Sequence, residues 1–377
     1  MAGIYIHIPF CKQACVYCNF HFSTSTQLKN DFLQALLKEI SARKDYLQGE
    51  SIETIYFGGG SPSLLSQDEI EIILNEINKK FVVESPAEIT LEANPDDINK
   101  EKALAWKRLG VNRLSLGVQS FYDDDLKWMN RAHTAQQSVN SIEMVREAGF
   151  SNLTIDLIYG TPTLSDEKWK SNVDRAIQLD IPHLSCYALT VEPRTALENL
   201  IRTGKVLDVS TDDQARQFLL LIDWLEGNGY EHYEISNFSK PGMKSRHNTS
   251  YWQQKSYLGL GPSAHSFNGI SRQWNISNNA LYISSITNSV PAFEIEHLGP
   301  IHRLNEYIMT SLRTSEGLNL EFLSREFGEG VMSKCLESSS RHQHNGSIIY
   351  ERETIRLTKK GKLLADGIAA DLFFEKL

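Results

Sequence analysis

Cysteine is scarce in this chain. Five occur in 377 residues, too few and too unevenly spread for a disulfide framework, which would distribute an even number along a small chain. Three of them, Cys11, Cys15 and Cys18, fall within eight residues, and that clustering reads as metal binding. Cys186 and Cys335 stand alone and read as small buried hydrophobes. Long apolar runs are missing as well. No stretch reaches the length of a membrane span, and Met1-Ala2-Gly3-Ile4-Tyr5-Ile6-His7 has neither the basic nor the apolar segment of a secretory signal. A soluble, cytoplasmic protein is expected. Positive charge is in deficit: 38 Lys and Arg against 47 Asp and Glu leave a formal net charge of -9. Broad attraction to nucleic acid or anionic lipid needs the opposite balance, so no nucleic-acid partner is expected.

What remains is ordinary globular material, 41% hydrophobic and 23% charged, enough for a large core. The length suggests one large domain with a small one appended. β-rich runs at 3–8, 52–57, 88–92, 113–118, 152–158 and 183–189 alternate with amphipathic helical stretches such as 31–47. Another helix starts at Gln67 behind a capping box of Ser66 and Glu69. Gly110-Val111, Gly149-Phe150 and Gly229-Tyr230 have the form of glycine helix stops. Six βα units imply a parallel sheet with right-handed crossovers, either an open wound sheet or a complete or partial barrel. In each case the site lies at the C-terminal strand ends. Gly58-Gly59-Gly60-Ser61, Glu92, Gln119 and Asp156 are placed there. The alternation stops near Ser236. Residues 237–300 read as a connecting segment, and 301–377 as helices, a hairpin and a last helix, a winged-helix-like pattern.

The loop after the first strand reads Cys11-Lys12-Gln13-Ala14-Cys15-Val16-Tyr17-Cys18. Three thiolates so close can hold three irons of a [4Fe-4S] cubane and leave the fourth without a protein ligand. That open iron can chelate the amino and carboxylate groups of S-adenosylmethionine, so that an electron from the cluster cleaves a carbon–sulfur bond and yields a 5′-deoxyadenosyl radical. The alternative is structural zinc, with His21 or His7 completing a Cys3His tetrahedron.

Several motifs resemble those of the radical S-adenosylmethionine superfamily, and within it the branch of oxygen-independent coproporphyrinogen oxidases and HemW-type heme chaperones. They are Tyr5-Ile6-His7-Ile8-Pro9-Phe10-Cys11, Phe57-Gly58-Gly59-Gly60-Ser61-Pro62-Ser63, Glu92-Ala93-Asn94-Pro95, Gly117-Val118-Gln119-Ser120-Phe121, Asn130-Arg131-Ala132-His133 and Asp156-Leu157-Ile158-Tyr159-Gly160. The resemblance covers essentially the whole chain. It implies an α/β fold, a partial (β/α)6 TIM-type barrel over 1–236 with a small C-terminal helical, winged-helix-like domain over 301–377. It also implies cofactor roles: Tyr17 and Ala188 beside the adenine, Tyr5 near the methionine end, and the backbone of Gly59, Gly60 and Ser61 at the amino group. Arg131 offers a planar fork for a carboxylate, and Glu92, Gln119 and Asp156 meet the amine and ribose hydroxyls. Arg131 and Glu92, on later βα units, are expected to serve cofactor binding and not cluster assembly.

Within the branch, the oxidases carry a fourth cysteine two residues after the third, where this chain has Phe20, and an extension ahead of the cluster, which here begins at residue 11. His247-Asn248-Thr249-Ser250-Tyr251-Trp252 matches the H-N-x-x-Y-W signature of the HemW type. The resemblance therefore implies a heme chaperone, with oxidative decarboxylation of coproporphyrinogen as the enzymatic alternative. His247 is the candidate heme ligand, Tyr251 and Trp252 candidate packing for the macrocycle, and Arg246 a candidate propionate contact. Cys186, His183 and His265 are competing ligands. The implied partners are heme or a related tetrapyrrole, a heme-acceptor protein, membrane-associated ones included, and an electron donor such as flavodoxin or ferredoxin.

Overall fold

The computed structural model describes residues 1–376. Six parallel strands form its centre: β1 (Ala2–Ile8), β2 (Ile52–Gly59), β3 (Val83–Ala93), β4 (Arg113–Gln119), β5 (Leu153–Tyr159) and β6 (His183–Ala188), neighbours in chain order. Side-chain alternation explains why they pack as they do. Ile4, Ile6 and Ile8 of β1, Leu114, Leu116 and Val118 of β4, and Leu153, Ile155 and Leu157 of β5 are all essentially inaccessible. Each such side chain contributes about 1.5–3 kcal/mol by burial. The opposite parity carries Tyr5 and His7, Arg113 and Ser115, Thr154 and Asp156, so one face of the curved sheet is polar. The glycine stops act as the sequence suggests: Gly110, Gly149 and Gly229 have φ of 91°, 89° and 79°, and each is followed by an apolar residue whose N–H bonds back to the last helical turn. The capping box of Ser66 and Glu69 is formed. The first helix is shorter than expected and runs Lys29–Ala42.

The segment 237–300 is more than a connector. With β7 (Glu231–Glu234), its β8 (Asn237–Ser239) extends the sheet beyond β6, while β9 (Tyr257–Leu260), β10 (His265–Phe267), β11 (Ser271–Asn275) and β12 (Phe293–His297) extend it beyond β1. The barrel therefore stays open, since β1 pairs with β9 and β6 with β8. A buried carboxylate ties down the strands added beyond β1. Glu39 on the first helix accepts hydrogen bonds from the Gly261 N–H at 2.8 Å, Asn275 Nδ2 at 2.8 Å and the Tyr282 hydroxyl at 2.6 Å.

Beyond Pro300 a second core forms around Leu304, Ile308, Leu323, Cys335, Ile355 and Ile368. Its elements are the helices Pro300–Leu312, Leu320–Phe327, Glu329–His344 and Ala365–Asp371 with a small sheet of β13 (Leu318–Asn319), β14 (Ile348–Glu351) and β15 (Thr354–Leu357). Helices followed by a hairpin give the winged-helix-like pattern. Among the described residues, no helix is long and apolar enough to cross a membrane.

Candidate functional site

The cysteine loop leaves β1 and is held from several sides. Lys12 Nζ lies 2.9 Å from Asp96 Oδ2 and also pairs with Asp97. Gln13 Nε2 donates to Asn130 Oδ1 at 2.9 Å, and Asn130 Nδ2 returns a bond to the Ala14 carbonyl at 2.7 Å. The Val16 N–H reaches the Met129 carbonyl at 3.2 Å. Behind the loop, the Ser61 N–H donates to the Phe10 carbonyl at 2.8 Å. Gly60 sits so close that a Cβ there would lie 2.5 Å from that same carbonyl oxygen, which explains the glycine run on packing grounds. These contacts tie up backbone and neighbouring side chains. Cys11, Cys15 and Cys18 are half-buried and form no disulfide.

The thiols open into a cavity of about 430 Å³ at the C-terminal strand ends. Tyr17, Gly59, Gly60, Ser61, Glu92, Gln119, Arg131, Asp156 and Ala188 share its wall. Tyr5 and His247 do not. Asn94, Ser115 and Tyr187 line it too, and the signal for Ser115 and Tyr187 is strand parity: each is one strand step, two residues, from another inward-facing polar or small residue. Gln119 holds φ of 65°, a conformation costing roughly 1 to 2 kcal/mol for a residue with a Cβ, at the point where β4 turns into the cavity.

The donor set fits a cubane better than zinc. His7 cannot complete a tetrahedron, because its Nε2 is bonded to the His21 carbonyl at 2.8 Å and its Nδ1 to the Tyr5 hydroxyl at 3.2 Å. His21 is engaged by Asn279 Oδ1 at 2.6 Å. Among the described residues no three His, Cys, Asp or Glu side chains converge on one ion; a cubane requires no such convergence, since each thiolate takes a separate iron. Arg131 shows the space left for a second ligand. Its Nη2 donates to Asn94 Oδ1 at 2.6 Å and the Gly117 carbonyl at 2.9 Å, Nη1 lies 3.3 Å from Cys15 Sγ, and Nε is buried without a partner. Arg131 thus also touches one of the three loop thiols.

Two carboxyls face the cavity with raised pKa values. Burial pushes Glu92 up to about 7, helped by the nearby charge of Asp156 and opposed by hydrogen bonds from the Tyr56 hydroxyl at 2.7 Å and the Gly59 N–H at 3.2 Å. Asp156 rises to about 6, again through burial, against hydrogen bonds from Ser115 and Ser185. A cationic ligand favours the ionised forms. In the ligand-free protein, Glu92 keeps its proton above the pH at which the unfolded chain releases it, so stability falls as pH rises from the ordinary carboxylate range through about 7. Glu92→Gln is therefore expected to leave the melting temperature unchanged near pH 4 and to raise it by a few degrees at pH 8. Thermal unfolding across that range checks this, and a pH-independent difference would mean that Glu92 ionises normally.

His247, the candidate heme ligand, is placed away from the cysteine-loop cavity. It lies on the helix Arg246–Trp252, whose first N–H groups donate to the Glu88 carboxylate of β3, at 3.1 Å from Arg246 and 3.0 Å from His247. The ring is 1% exposed. Its Nδ1 meets Thr54 Oγ1 at 2.7 Å and its Nε2 the Tyr251 hydroxyl at 2.9 Å, and it stacks on Tyr56 with centroids 4.9 Å apart. Gly3 makes room, since a Cβ there would fall 2.8 Å from Thr54 Oγ1 and 3.3 Å from the imidazole. Both ring nitrogens are spent, so His247 is a plug in the open barrel that fixes Tyr251. His247→Ala is expected to cost about 2–4 kcal/mol in urea unfolding, from the cavity and two stranded hydroxyls. A cost below about 1 kcal/mol would contradict the plug.

The competing ligands divide in the same way. His183 is buried between Thr154 Oγ1 at 3.1 Å and the Tyr233 hydroxyl at 2.7 Å, and Cys186 is 2% exposed. Arg246 is engaged by the Pro86 carbonyl at 3.2 Å. Tyr5, Tyr251, Trp252 and His265 instead line a second cavity, of about 560 Å³, which shares Asn19 and Phe20 with the first.

The model of the radical SAM superfamily matches residues 5–176, and that of the HemN C-terminal domain matches 298–364. The heme chaperone HemW of Bacillus subtilis (strain 168) is 33% identical over 98% of this chain and 98% of its own. HemW of Lactococcus lactis is 34% identical over 97% and 95%, and that of Escherichia coli (strain K12) 37% over 70% and 69%. The solved coproporphyrinogen III oxidase HemN of Escherichia coli, a radical SAM enzyme, superposes with a TM-score of 0.86 at 23% identity, covering 100% of this chain and 90% of that one. That likeness shows the fold, a partial barrel with a C-terminal domain. Radical S-adenosylmethionine proteins use a [4Fe-4S] cluster and S-adenosylmethionine as cofactors. With three free thiols on one loop, a ligand-sized cavity beside them and full-length similarity to these relatives, the chain belongs to the HemW family of radical S-adenosylmethionine proteins.

Proposed function

We propose that the protein is a heme chaperone: it binds heme beside a cluster-and-S-adenosylmethionine site and passes it to an acceptor protein. The observation that carries this is the 33% identity to a heme chaperone along 98% of both chains, in a sequence where Phe20 stands in place of the oxidases' fourth cysteine. Cys11, Cys15 and Cys18 hold the cluster, which when bound supplies an electron and an open iron to S-adenosylmethionine. Arg131 takes the ligand's carboxylate, with its unpartnered Nε available for the second bond of a fork. The N–H groups of Gly59, Gly60 and Ser61 are spent on Glu92, Ile8 and Phe10, so the loop offers carbonyls, as an amine donor requires. Glu92, Gln119 and Asp156 hold the amine and ribose hydroxyls, and Tyr17 and Ala188 flank the adenine. A one-electron donor of the flavodoxin or ferredoxin type and a membrane-associated heme acceptor complete the proposal.

The test is anaerobic reconstitution followed by two parallel assays, heme titration and coproporphyrinogen turnover. Stoichiometric heme binding without decarboxylation supports the chaperone. Decarboxylation without heme binding would make the protein an oxidase.

A further inference from the structure

We propose that the heme seat is the second cavity, with His265 as the iron ligand and Arg272 as the propionate contact. This rests on the chaperone reading and gives it a place. The cavity lies between β9–β11 and the helix Pro300–Leu312, and at about 560 Å³ it is larger than the cofactor cavity of about 430 Å³. Its walls include the aromatic rings of Tyr251, Trp252, Tyr257 and Phe267, the lining that a flat apolar macrocycle needs.

Three histidines border it: His7, His21 and His265. His7 has both nitrogens bonded, and His21 has Nε2 held by Asn279. His265 alone makes no side-chain hydrogen bond among the described residues, and its side chain is exposed to the cavity side of β10. Burial and the charge of Arg272 hold its pKa below the ordinary value, which keeps the imidazole neutral, as an iron ligand must be.

Register supplies the second contact. Across the antiparallel pair, His265 faces Trp274 and Phe267 faces Arg272, so all four side chains lie on one face of the sheet. His265 and Arg272 are diagonal neighbours, their backbones roughly 7–8 Å apart, so their side chains project from one face of the sheet toward the same cavity. Arg272 is held by Glu306 at 3.0 Å and lies 5.8 Å from the Phe267 ring centroid. A propionate exchanges one carboxylate partner for another. Because Glu306 belongs to the C-terminal unit, heme in this cavity touches both units. The same helix brings Met309 to the wall, a soft side chain suited to packing on the macrocycle.

The experiment uses the full-length, anaerobically reconstituted protein titrated with ferric heme, read by the Soret band and by magnetic resonance of the heme iron. The parent should bind one heme with a histidine-ligand signature. His265→Ala should weaken binding by about tenfold or more, with iron–sulfur content and S-adenosylmethionine binding unchanged, and free imidazole should restore the signature. Arg272→Ala should weaken binding of heme severalfold but not that of heme dimethyl ester, whose propionates are uncharged. Unchanged affinity and spectrum in both variants, or loss of the signature in His21→Ala alone, overturns this seat while leaving the chaperone reading standing. A parent protein that binds no heme removes the chaperone reading itself.

Discussion

Single replacement of Cys11, Cys15 or Cys18 by Ala is expected to reduce iron and sulfide in the anaerobically reconstituted protein to background, with loss of the [4Fe-4S] absorption and magnetic signals. The loop offers three thiols and no replacement: the neighbouring His7 and His21 are bonded to protein partners, and Phe20 follows two residues after Cys18. A cubane left with two thiolates exposes two irons to solvent and is labile. Cys186→Ala is the control. Cys186 is 2% exposed on the apolar side of β6, packed in the main core, and its loss should leave the cluster intact. Iron retained in any of the three loop variants would require a ligand other than these cysteines.

Arg131→Ala is expected to weaken S-adenosylmethionine binding by about 10- to 100-fold, the loss of a charge-assisted hydrogen bond worth roughly 1.5–3 kcal/mol. Arg131→Lys should recover little, because a single ammonium cannot serve Asn94, Gly117, Cys15 and a carboxylate together. Arg131→Ala should also lower the reduction potential of the cluster, since the positive charge and the N–H beside Cys15 Sγ stabilise the reduced, more negative state. Equilibrium binding and redox titration of the two variants read these effects separately. Unchanged affinity in Arg131→Ala would take the guanidinium out of the ligand site.

Much of the main unit is legible in the sequence because its rules are local. β4 alternates Leu114, Leu116 and Val118 with Arg113, Ser115 and Gln119, and the pattern alone tells the helix-facing side from the site side. The cysteine spacing and the glycine stops need no knowledge of distant residues either. The added strands are another matter. β8, β9, β10 and β11 have three to five residues each in a stretch rich in Asn, Ser and Gly, and those beyond β1 are tied down by Glu39, more than 200 residues away from Gly261, Asn275 and Tyr282. The setting of His247 is hidden for the same reason. Its spacing to Tyr251 and Trp252 is visible, but its partner Thr54 lies 193 residues away, and only that contact shows that the imidazole is committed. His265 has no motif around it; its fitness as a ligand comes from what it does not touch.

Whether an open iron of the cluster takes S-adenosylmethionine is read from electron paramagnetic resonance of the reduced protein before and after addition of the ligand. A cluster with three cysteine ligands and one open iron should give a signal whose shape and g-values change on addition of the ligand, in the parent and not in Arg131→Ala at concentrations that saturate the parent. Stoichiometric zinc without iron, or a [4Fe-4S] signal indifferent to S-adenosylmethionine in the parent, would contradict it.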